Sequence, residues 1–195
     1  MSTVEDLKNR APQGFGVTIE TLTPTDQDIR VLSAQLGRTV RDVIEIPARC
    51  VCGNPLVAAT APRLSNGNPF PTVFYLAHPA ITAAASRLEA GGLMYEMTDA
   101  LAADTELANR YTLAHENYLA ERERIRLISG TDEVPEIENI SAGGMPTRVK
   151  CLHALIGHTL AVGCGINPMG DWGLDEIADW WTPQVCACEP SWRDA

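Results

Sequence analysis

Three β-rich segments lie between residues 40 and 77, and most of the chain after them has helical periodicity. The first segment, residues 40–49, is rich in Val and Ile, and the turn Ser65-Asn66-Gly67-Asn68 separates residues 56–64 from residues 70–77. Asn-Gly between two apolar runs is a strong hairpin signal. A run of strands followed by a run of helices is typical of the α+β class. We therefore predict an α+β fold in which a three-stranded antiparallel meander is covered by several helices.

The length of 195 residues fits a single domain. Residues 1–24 show no steady period and are interpreted as an N-terminal arm. Residues 25–182 form the predicted single α+β domain, and residues 183–195 form a C-terminal tail. Helix start signals within the domain include Thr25 or Asp26 as a cap and Pro79 at a first helical position.

The net charge of −10 at pH 7 bears on the choice of partners. Nucleic acids and anionic membrane surfaces attract basic proteins, so both are unlikely partners for this chain. No apolar run approaches the ~18 residues that a membrane span needs. The first 24 residues lack the basic start and apolar centre of a secretory signal. We therefore expect a cytoplasmic protein.

The six cysteines point to metal binding or catalysis, because a reducing cytoplasm does not favour disulfides. Four of them form two Cys-x-Cys pairs, Cys50-Val51-Cys52 and Cys186-Ala187-Cys188. Neither pair has the Cys-x-x-Cys spacing of common zinc knuckles. The two remaining cysteines are Cys151 and Cys164.

The meander predicts which of these residues meet. Its first and third strands run in the same direction, so their C-terminal ends share one edge of the sheet. Cys50 and Cys52 follow the first strand, and His78 follows the third. At ordinary strand spacing these side chains lie within about 10 Å of one another.

The stretch from Gly143 to His158 combines a glycine pair and a proline with cysteine and histidine. Pro146 is well placed at a first helical position, so we predict a helix from there to about residue 162. On such a helix Cys151 lies opposite the apolar stripe, and His153 points away from Cys151. His158 shares a face with Cys151 but lies about 10 Å along the axis, which makes it an awkward second ligand.

Arg148 and Lys150 lie near the start of this predicted helix. Unpaired backbone N–H groups at a helix N-terminus favour anions, and two cations beside a Gly-Gly loop strengthen that preference. We therefore predict a site for a small anion, phosphate-like or carboxylate. The alternative is ion pairing with the acidic loop upstream, whose carboxylates are Asp132, Glu133, Glu136 and Glu138.

Several short runs together resemble the bacterial family catalogued as domain of unknown function 501. They are Leu36-Gly37-Arg38, Arg49-Cys50, Gly53-Asn54-Pro55, Thr60-Ala61-Pro62, Pro69-Phe70-Pro71-Thr72 and Val149-Lys150-Cys151-Leu152-His153-Ala154. The resemblance covers roughly residues 25–170. The family is common in actinobacteria, and its genes often lie near those for a septum-formation initiator and an exopolyphosphatase. No activity is established for it, so the resemblance supplies no reaction.

The resemblance also bears on one residue. Many members of the family have Thr-Cys-Pro where this chain has Ala77-His78-Pro79. Cys and His are both good zinc ligands, so the exchange suits a ligand position.

The first functional hypothesis is a metal site built from Cys50, Cys52, His78 and Cys151. Thiolate and imidazole donors favour zinc, with an iron–sulfur cluster as the alternative. The sequence leaves open whether Cys186 and Cys188 join the site.

Two other hypotheses come from different classes. One is a thiol-dependent enzyme in which Cys151 and His153 are catalytic and the substrate is a small phosphorylated or carboxylated molecule. The other is a non-enzymatic adaptor that contacts a partner through an acidic helix or Trp180-Trp181, linked by the resemblance to cell division or polyphosphate metabolism. Taken singly, Cys151 and His153 also suit plain core positions.

Overall fold

The sheet is a three-stranded antiparallel meander, as the sequence predicts. In the computed structural model, which describes residues 2–14 and 22–193, the strands are β1 (Val43–Arg49), β2 (Pro55–Thr60) and β3 (Phe74–Leu76). Their order is β1-β2-β3, and both neighbouring pairs are antiparallel. The C-terminal ends of β1 and β3 therefore lie at the same edge of the sheet.

Strand β3 is shorter than the predicted segment of residues 70–77. Pro71 has no N–H to donate to a ladder. The Val73 N–H is directed to the Tyr118 hydroxyl, at 2.8 Å, and to the Pro71 carbonyl, at 3.1 Å. The predicted turn at residues 65–68 is confirmed, because the Leu64 N–H bonds the Asn68 carbonyl at 2.9 Å.

Seven α-helices surround this sheet in the described part of the chain. They are α1 (Val4–Asn9), α2 (Asp26–Leu36), α3 (Pro79–Gly91), α4 (Leu93–Ala103), α5 (Thr105–Ser129), α6 (Leu152–Val162) and α7 (Pro168–Glu176). Two short 3₁₀ helices, Pro135–Ile137 and Pro190–Arg193, lie in the connections and tail. None of the described helices combines the length and apolar character needed to cross a membrane.

Helix α6 begins at Leu152, so the prediction of a helix from Pro146 is wrong. Gly143 and Gly144 adopt φ values of +70° and +94°, and the chain folds back on itself after them. The Lys150 N–H then bonds the Gly143 carbonyl at 2.7 Å. A Cβ at Gly144 would lie 2.6 Å from the Arg148 carbonyl oxygen, so this close approach requires glycine.

Helix α6 is the central element of the core. Its residues from Ala154 to Leu160 are all buried, between the sheet on one side and α7 on the other. A Cβ at Gly157 would lie 3.3 Å from the Phe74 carbonyl oxygen, and one at Gly170 would lie 2.3 Å from the Leu155 carbonyl oxygen. Small residues therefore let α6 approach both neighbours closely.

Both ends of the chain pack against this body. In α1, Leu7 is buried and Lys8 forms an ion pair with Asp104 at 3.1 Å. In the tail, Trp192 is buried and its carbonyl accepts a hydrogen bond from Gln27 at 3.3 Å. Residues 15–21 of the expected N-terminal arm lie outside the described residues. The expected domain boundaries at residues 25 and 182 stay predictions.

Candidate functional site

Four cysteines converge beside the sheet. The Sγ atoms of Cys50, Cys52, Cys186 and Cys188, which we call the four-cysteine cluster, all lie within 4.8 Å of one another. Cys50 is buried and the other three are half-buried. None of the six cysteines is in a disulfide. Such a set of thiols could hold a metal ion.

The β1–β2 turn places the first pair of the cluster. The Cys50 N–H bonds the Asn54 carbonyl, and the Gly53 N–H bonds the Cys50 carbonyl, both at 2.8 Å. Gly53 has φ +91°, a conformation that favours glycine. This tight turn holds Cys52, two residues beyond Cys50, close to the returning tail, which supplies Cys186 and Cys188.

His78 lies beside the cluster. Its Nε2 is 3.4 Å from the Cys188 Sγ, and its ring packs edge-to-face against Trp192 with centroids 5.8 Å apart. Burial lowers the pKa of His78 to about 4, so the ring is neutral at pH 7. The buried Nδ1 has no hydrogen-bond partner among the described residues. The contact with Cys188 is therefore the polar contact that orients this imidazole.

The surroundings of Cys50 and Cys188 favour neutral thiols at these two positions when no cation is present. Burial raises the pKa of Cys50, and burial together with hydrogen bonding from Cys52 and Cys50 raises the pKa of Cys188. Several thiolates this close together would repel one another. A bound cation would remove that repulsion and displace the thiol protons.

A second group of donors consists of Glu89, Cys151 and His153, called here the Glu89 group. One donor atom from each residue lies within 4.8 Å of the other two. The His153 Nδ1 is 4.0 Å from the Cys151 Sγ and 3.1 Å from the Glu89 Oε1. The same Oε1 accepts the Leu152 N–H at 2.7 Å.

His153 faces Cys151, whereas the sequence predicted that it would point away. The difference follows from the start of α6. Cys151 is the N-cap residue with an extended backbone, φ −154° and ψ 110°, so the helical angle between positions 151 and 153 does not apply. The two side chains therefore lie on the same side of the chain.

His153 is held in a polar environment on both ring nitrogens. Its Nε2 lies 3.1 Å from the Thr82 carbonyl oxygen and 3.2 Å from the Ser86 Oγ. The contact with Cys151 and the charge of Glu89 raise the pKa of His153 to about 9, against the opposing effect of burial. In the absence of a metal, both ring nitrogens of His153 are therefore protonated at pH 7 and the imidazole is positively charged.

The Glu89 group opens onto a groove with a volume of about 410 Å³. Cys151 and His153 line it from α6 and the residue before it. The rest of its lining is largely apolar and comprises Leu36, Thr72, Phe74, Tyr75, Leu76, Thr82, Ala142, Gly143 and Ala154. The groove is therefore suited to a ligand with an apolar body, and Cys151 and His153 give it metal-binding or polar contacts.

Arg148 and Lys150 are exposed on the loop that precedes α6. Neither forms an ion pair with a residue that the structure describes, and Glu136 of the acidic loop pairs with Arg63 at 2.7 Å instead. The helix N-terminus that motivated an anion site lies further along, at Leu152. The predicted anion site at these two cations stays a prediction.

The structure divides the metal ligands expected from the sequence between two places. Cys50 and Cys52 lie in the four-cysteine cluster with His78 next to it, while Cys151 lies in the Glu89 group. The single-site hypothesis left open whether Cys186 and Cys188 take part, and it did not include Glu89. The repeated Cys-x-Cys spacing was a signal for the first two, but nothing in the local sequence distinguishes Glu89 from other helical glutamates.

Comparison with known proteins identifies a family but no function. Residues 46–175 match the model of a family described as "Protein of unknown function (DUF501)". No curated protein and no solved structure gives a significant match. The matched range contains all of the Glu89 group and the Cys50–Cys52 pair, and it ends before Cys186.

Proposed function

This chain belongs to the DUF501 family, whose function is unknown, and we propose that it is a metalloprotein whose four-cysteine cluster binds Zn²⁺. The observation that carries the proposal is the convergence of Cys50, Cys52, Cys186 and Cys188 within 4.8 Å. Two of these residues are on the β1–β2 turn and two are on the tail, so the cluster joins segments that are far apart in the sequence.

The choice of zinc rests on the donor set. Tetrahedral Zn²⁺ with Zn–S bonds of about 2.3 Å places its sulfur ligands about 3.8 Å apart, which is compatible with the observed cluster. Four thiolates also bind iron, so an iron–sulfur centre is the alternative occupant. Four protein ligands complete a tetrahedron and leave no position for a substrate. The proposed role of the ion is therefore structural: it fixes the tail against the sheet.

The proposal is tested by metal analysis of protein purified without oxygen. We expect zinc in the unmodified chain and the loss of one equivalent in Cys186→Ser. Cys164→Ser is the matched control, because Cys164 belongs to neither donor group. Substitution with Co²⁺ should give an intense thiolate-to-metal absorption that Cys186→Ser strongly weakens. Iron with its own visible absorption would support the iron–sulfur alternative, and a chain that binds neither metal at the cluster would refute the proposal.

A small-anion site at Arg148 and Lys150 is the second part of the proposed function. Its support is that both side chains are exposed on a Gly-rich loop without an ion-pair partner among the described residues. Such unpaired cations in a protein with a net charge of −10 favour a phosphate-like or carboxylate ligand.

A further inference from the structure

The donor atoms of the Glu89 group face one another at distances that a shared proton or a metal ion would satisfy. The Cys151 Sγ, the His153 Nδ1 and the Glu89 Oε1 all face one another. A carboxylate oxygen and an unprotonated ring nitrogen present lone pairs and no hydrogen, and a cysteine sulfur also offers lone pairs to a metal. Either a proton on Nδ1 or a metal ion satisfies this arrangement.

The other ring nitrogen of His153 is already committed. Its Nε2 lies 3.1 Å from the Thr82 carbonyl oxygen, which can only accept a hydrogen bond. The Nε2 therefore carries a hydrogen, and a metal that displaces the Nδ1 proton would meet the Nδ1 lone pair between Cys151 and Glu89. A histidine that donates one N–H to a backbone carbonyl and offers its other nitrogen is the usual arrangement of a metal ligand.

The distances agree with a tetrahedral ion. With ordinary zinc bond lengths, sulfur and nitrogen ligands lie about 3.6 Å apart, and nitrogen and oxygen ligands lie about 3.3 Å apart. The corresponding separations here are 4.0 Å for Cys151 Sγ to His153 Nδ1 and 3.1 Å for His153 Nδ1 to Glu89 Oε1. Shifts of a few tenths of an ångström would bring the three donors onto one ion.

We propose that Glu89, Cys151 and His153 form a second metal site, which binds a divalent ion such as Zn²⁺ through three protein ligands. Three ligands leave a fourth position, and Cys151 and His153 line the groove of about 410 Å³. An exogenous ligand with a metal-binding head and an apolar body would fit this combination. The site is independent of the four-cysteine cluster, since the two share no residue.

The competing explanation is an ion pair that caps α6. Glu89 accepts the Leu152 N–H at 2.7 Å and faces protonated His153 at 3.1 Å, so the pair joins α3 to α6 without any metal. The two explanations predict different effects of Glu89→Gln. A glutamine oxygen can still accept the Leu152 N–H, but a neutral amide is a poor ligand for zinc.

The test counts metal ions in chelator-treated protein titrated with Zn²⁺. We expect two equivalents in the unmodified chain. One should be lost in each of Cys151→Ser, His153→Gln and Glu89→Gln, and the other should be lost in Cys186→Ser. Cys164→Ser is the matched control, because Cys164 belongs to neither donor group. Circular dichroism should show that Glu89→Gln remains folded.

Cobalt in the Cys186→Ser variant isolates the second site. Its thiolate absorption should be weaker than that of the four-cysteine cluster, because only Cys151 supplies sulfur. Adding benzohydroxamate should change the cobalt spectrum at lower concentration than acetohydroxamate, because its ring would occupy the apolar groove. If Co²⁺ binds but neither hydroxamate changes its absorption spectrum, the proposal that the ion has an open fourth coordination position is wrong.

Two outcomes would overturn the second site altogether. One is a Cys186→Ser chain that binds no metal while the unmodified chain binds one equivalent. The other is alkylation of Cys151 by iodoacetamide at the same rate with and without Zn²⁺, which would point to a thiol group that does not bind the ion. Loss of metal in Cys186→Ser alone would leave the four-cysteine proposal standing, so the two failures are distinguishable.

Discussion

The Cys188 Sγ lies 3.4 Å from the Nε2 of His78, so the C-terminal tail meets the residue that joins β3 to α3. The same imidazole packs edge-to-face against Trp192. His78 therefore contacts the tail twice, once through a sulfur and once through an aromatic ring. In the proposed zinc centre, His78 would support a ligand from outside the coordination sphere.

Replacing His78 should weaken metal binding without abolishing it. Partners that hydrogen-bond a metal ligand typically contribute 10–100-fold in affinity. We expect His78→Phe, which keeps a ring against Trp192, to weaken zinc binding by about that factor in competition with a chromophoric chelator. His78→Cys should retain the metal. His115→Phe is the control, since His115 bonds Ser141 instead. If His78→Phe binds zinc as tightly as the unmodified chain, His78 contributes packing against Trp192 and no support to the metal site.

Removing the metal should release the tail. Trp192 is 7% exposed and its carbonyl accepts a hydrogen bond from Gln27, so its burial depends on the tail staying docked beside the cysteine cluster. A chelator should therefore shift Trp192 emission to the red and expose the tail to proteases, and added zinc should reverse both changes. Cys188→Ser should show the released state without chelator. Trp192→Phe should lose the emission shift, and persistence of the shift there would assign it to another tryptophan.

The sequence predicted those parts of the fold that depend on interactions between residues close together in the chain. Thr25 caps α2 through its own side chain, and Pro79 begins α3 at the predicted position. The meander follows from the turn at residues 65–68 and three short apolar strands. Each signal acts over a few residues, so it can be read without knowing the tertiary structure.

The start of α6 and the composition of the site depended on contacts between distant segments. Pro146 has a helix-start sequence, but the Lys150 N–H bonds the Gly143 carbonyl in a backbone loop that the helical pattern does not show. The positions of Cys188 and Glu89 are set by packing of the tail and of α3. Sequence periodicity identifies faces of helices and does not place one face against another.

The anion site at Arg148 and Lys150 can be tested by thermal unfolding. A ligand at ten times its Kd stabilises the folded state by about 1.4 kcal/mol. For a chain of this size that corresponds to a rise of about 3–6 °C in Tm. We expect such a rise with millimolar phosphate or pyrophosphate, and its loss in Arg148→Ala with Lys150→Ala.

The matched control for the anion test is Arg38→Ala with Arg41→Ala. This double variant removes the same charge from another exposed surface. The specific site predicts that the control keeps the phosphate response. Equal losses in both double variants would mean that phosphate acts through net charge alone, and no response in the unmodified chain would refute a site for these anions.

A buried carboxyl at Asp171 makes stability depend on pH. Asp171 is fully buried, and it accepts hydrogen bonds from the Gly165 N–H at 2.7 Å and the Thr159 hydroxyl at 3.2 Å. Arg10 is 3.9 Å away. Burial nevertheless raises the pKa of Asp171 from 3.8 to about 6, and the charge of Asp175 contributes to the rise.

Because the pKa of Asp171 is higher in the folded state, this carboxyl lowers the free energy of unfolding as pH rises. Between pH 4 and pH 6 the folded state holds a proton on Asp171 that the unfolded state has released. The stabilising contribution of protonated Asp171 is therefore complete below about pH 4 and is lost as pH rises through 6. A rise of about two pKa units corresponds to ~3 kcal/mol of unfolding free energy.

Asp171→Asn should remove this pH dependence. Urea unfolding at pH 4 and pH 7.5 gives the free energy of unfolding of each protein, and subtracting the variant from the unmodified chain cancels the other titrating groups. Between pH 4 and pH 7.5, we expect the free energy of unfolding of Asp171→Asn to rise by about 3 kcal/mol relative to that of the unmodified chain. Thr159→Val removes a hydrogen bond that lowers the pKa of Asp171. The loss of unfolding free energy between pH 4 and pH 7.5 should therefore be larger in Thr159→Val than in the unmodified chain. A constant difference between Asp171→Asn and the unmodified chain would mean that Asp171 titrates alike in the folded and unfolded states.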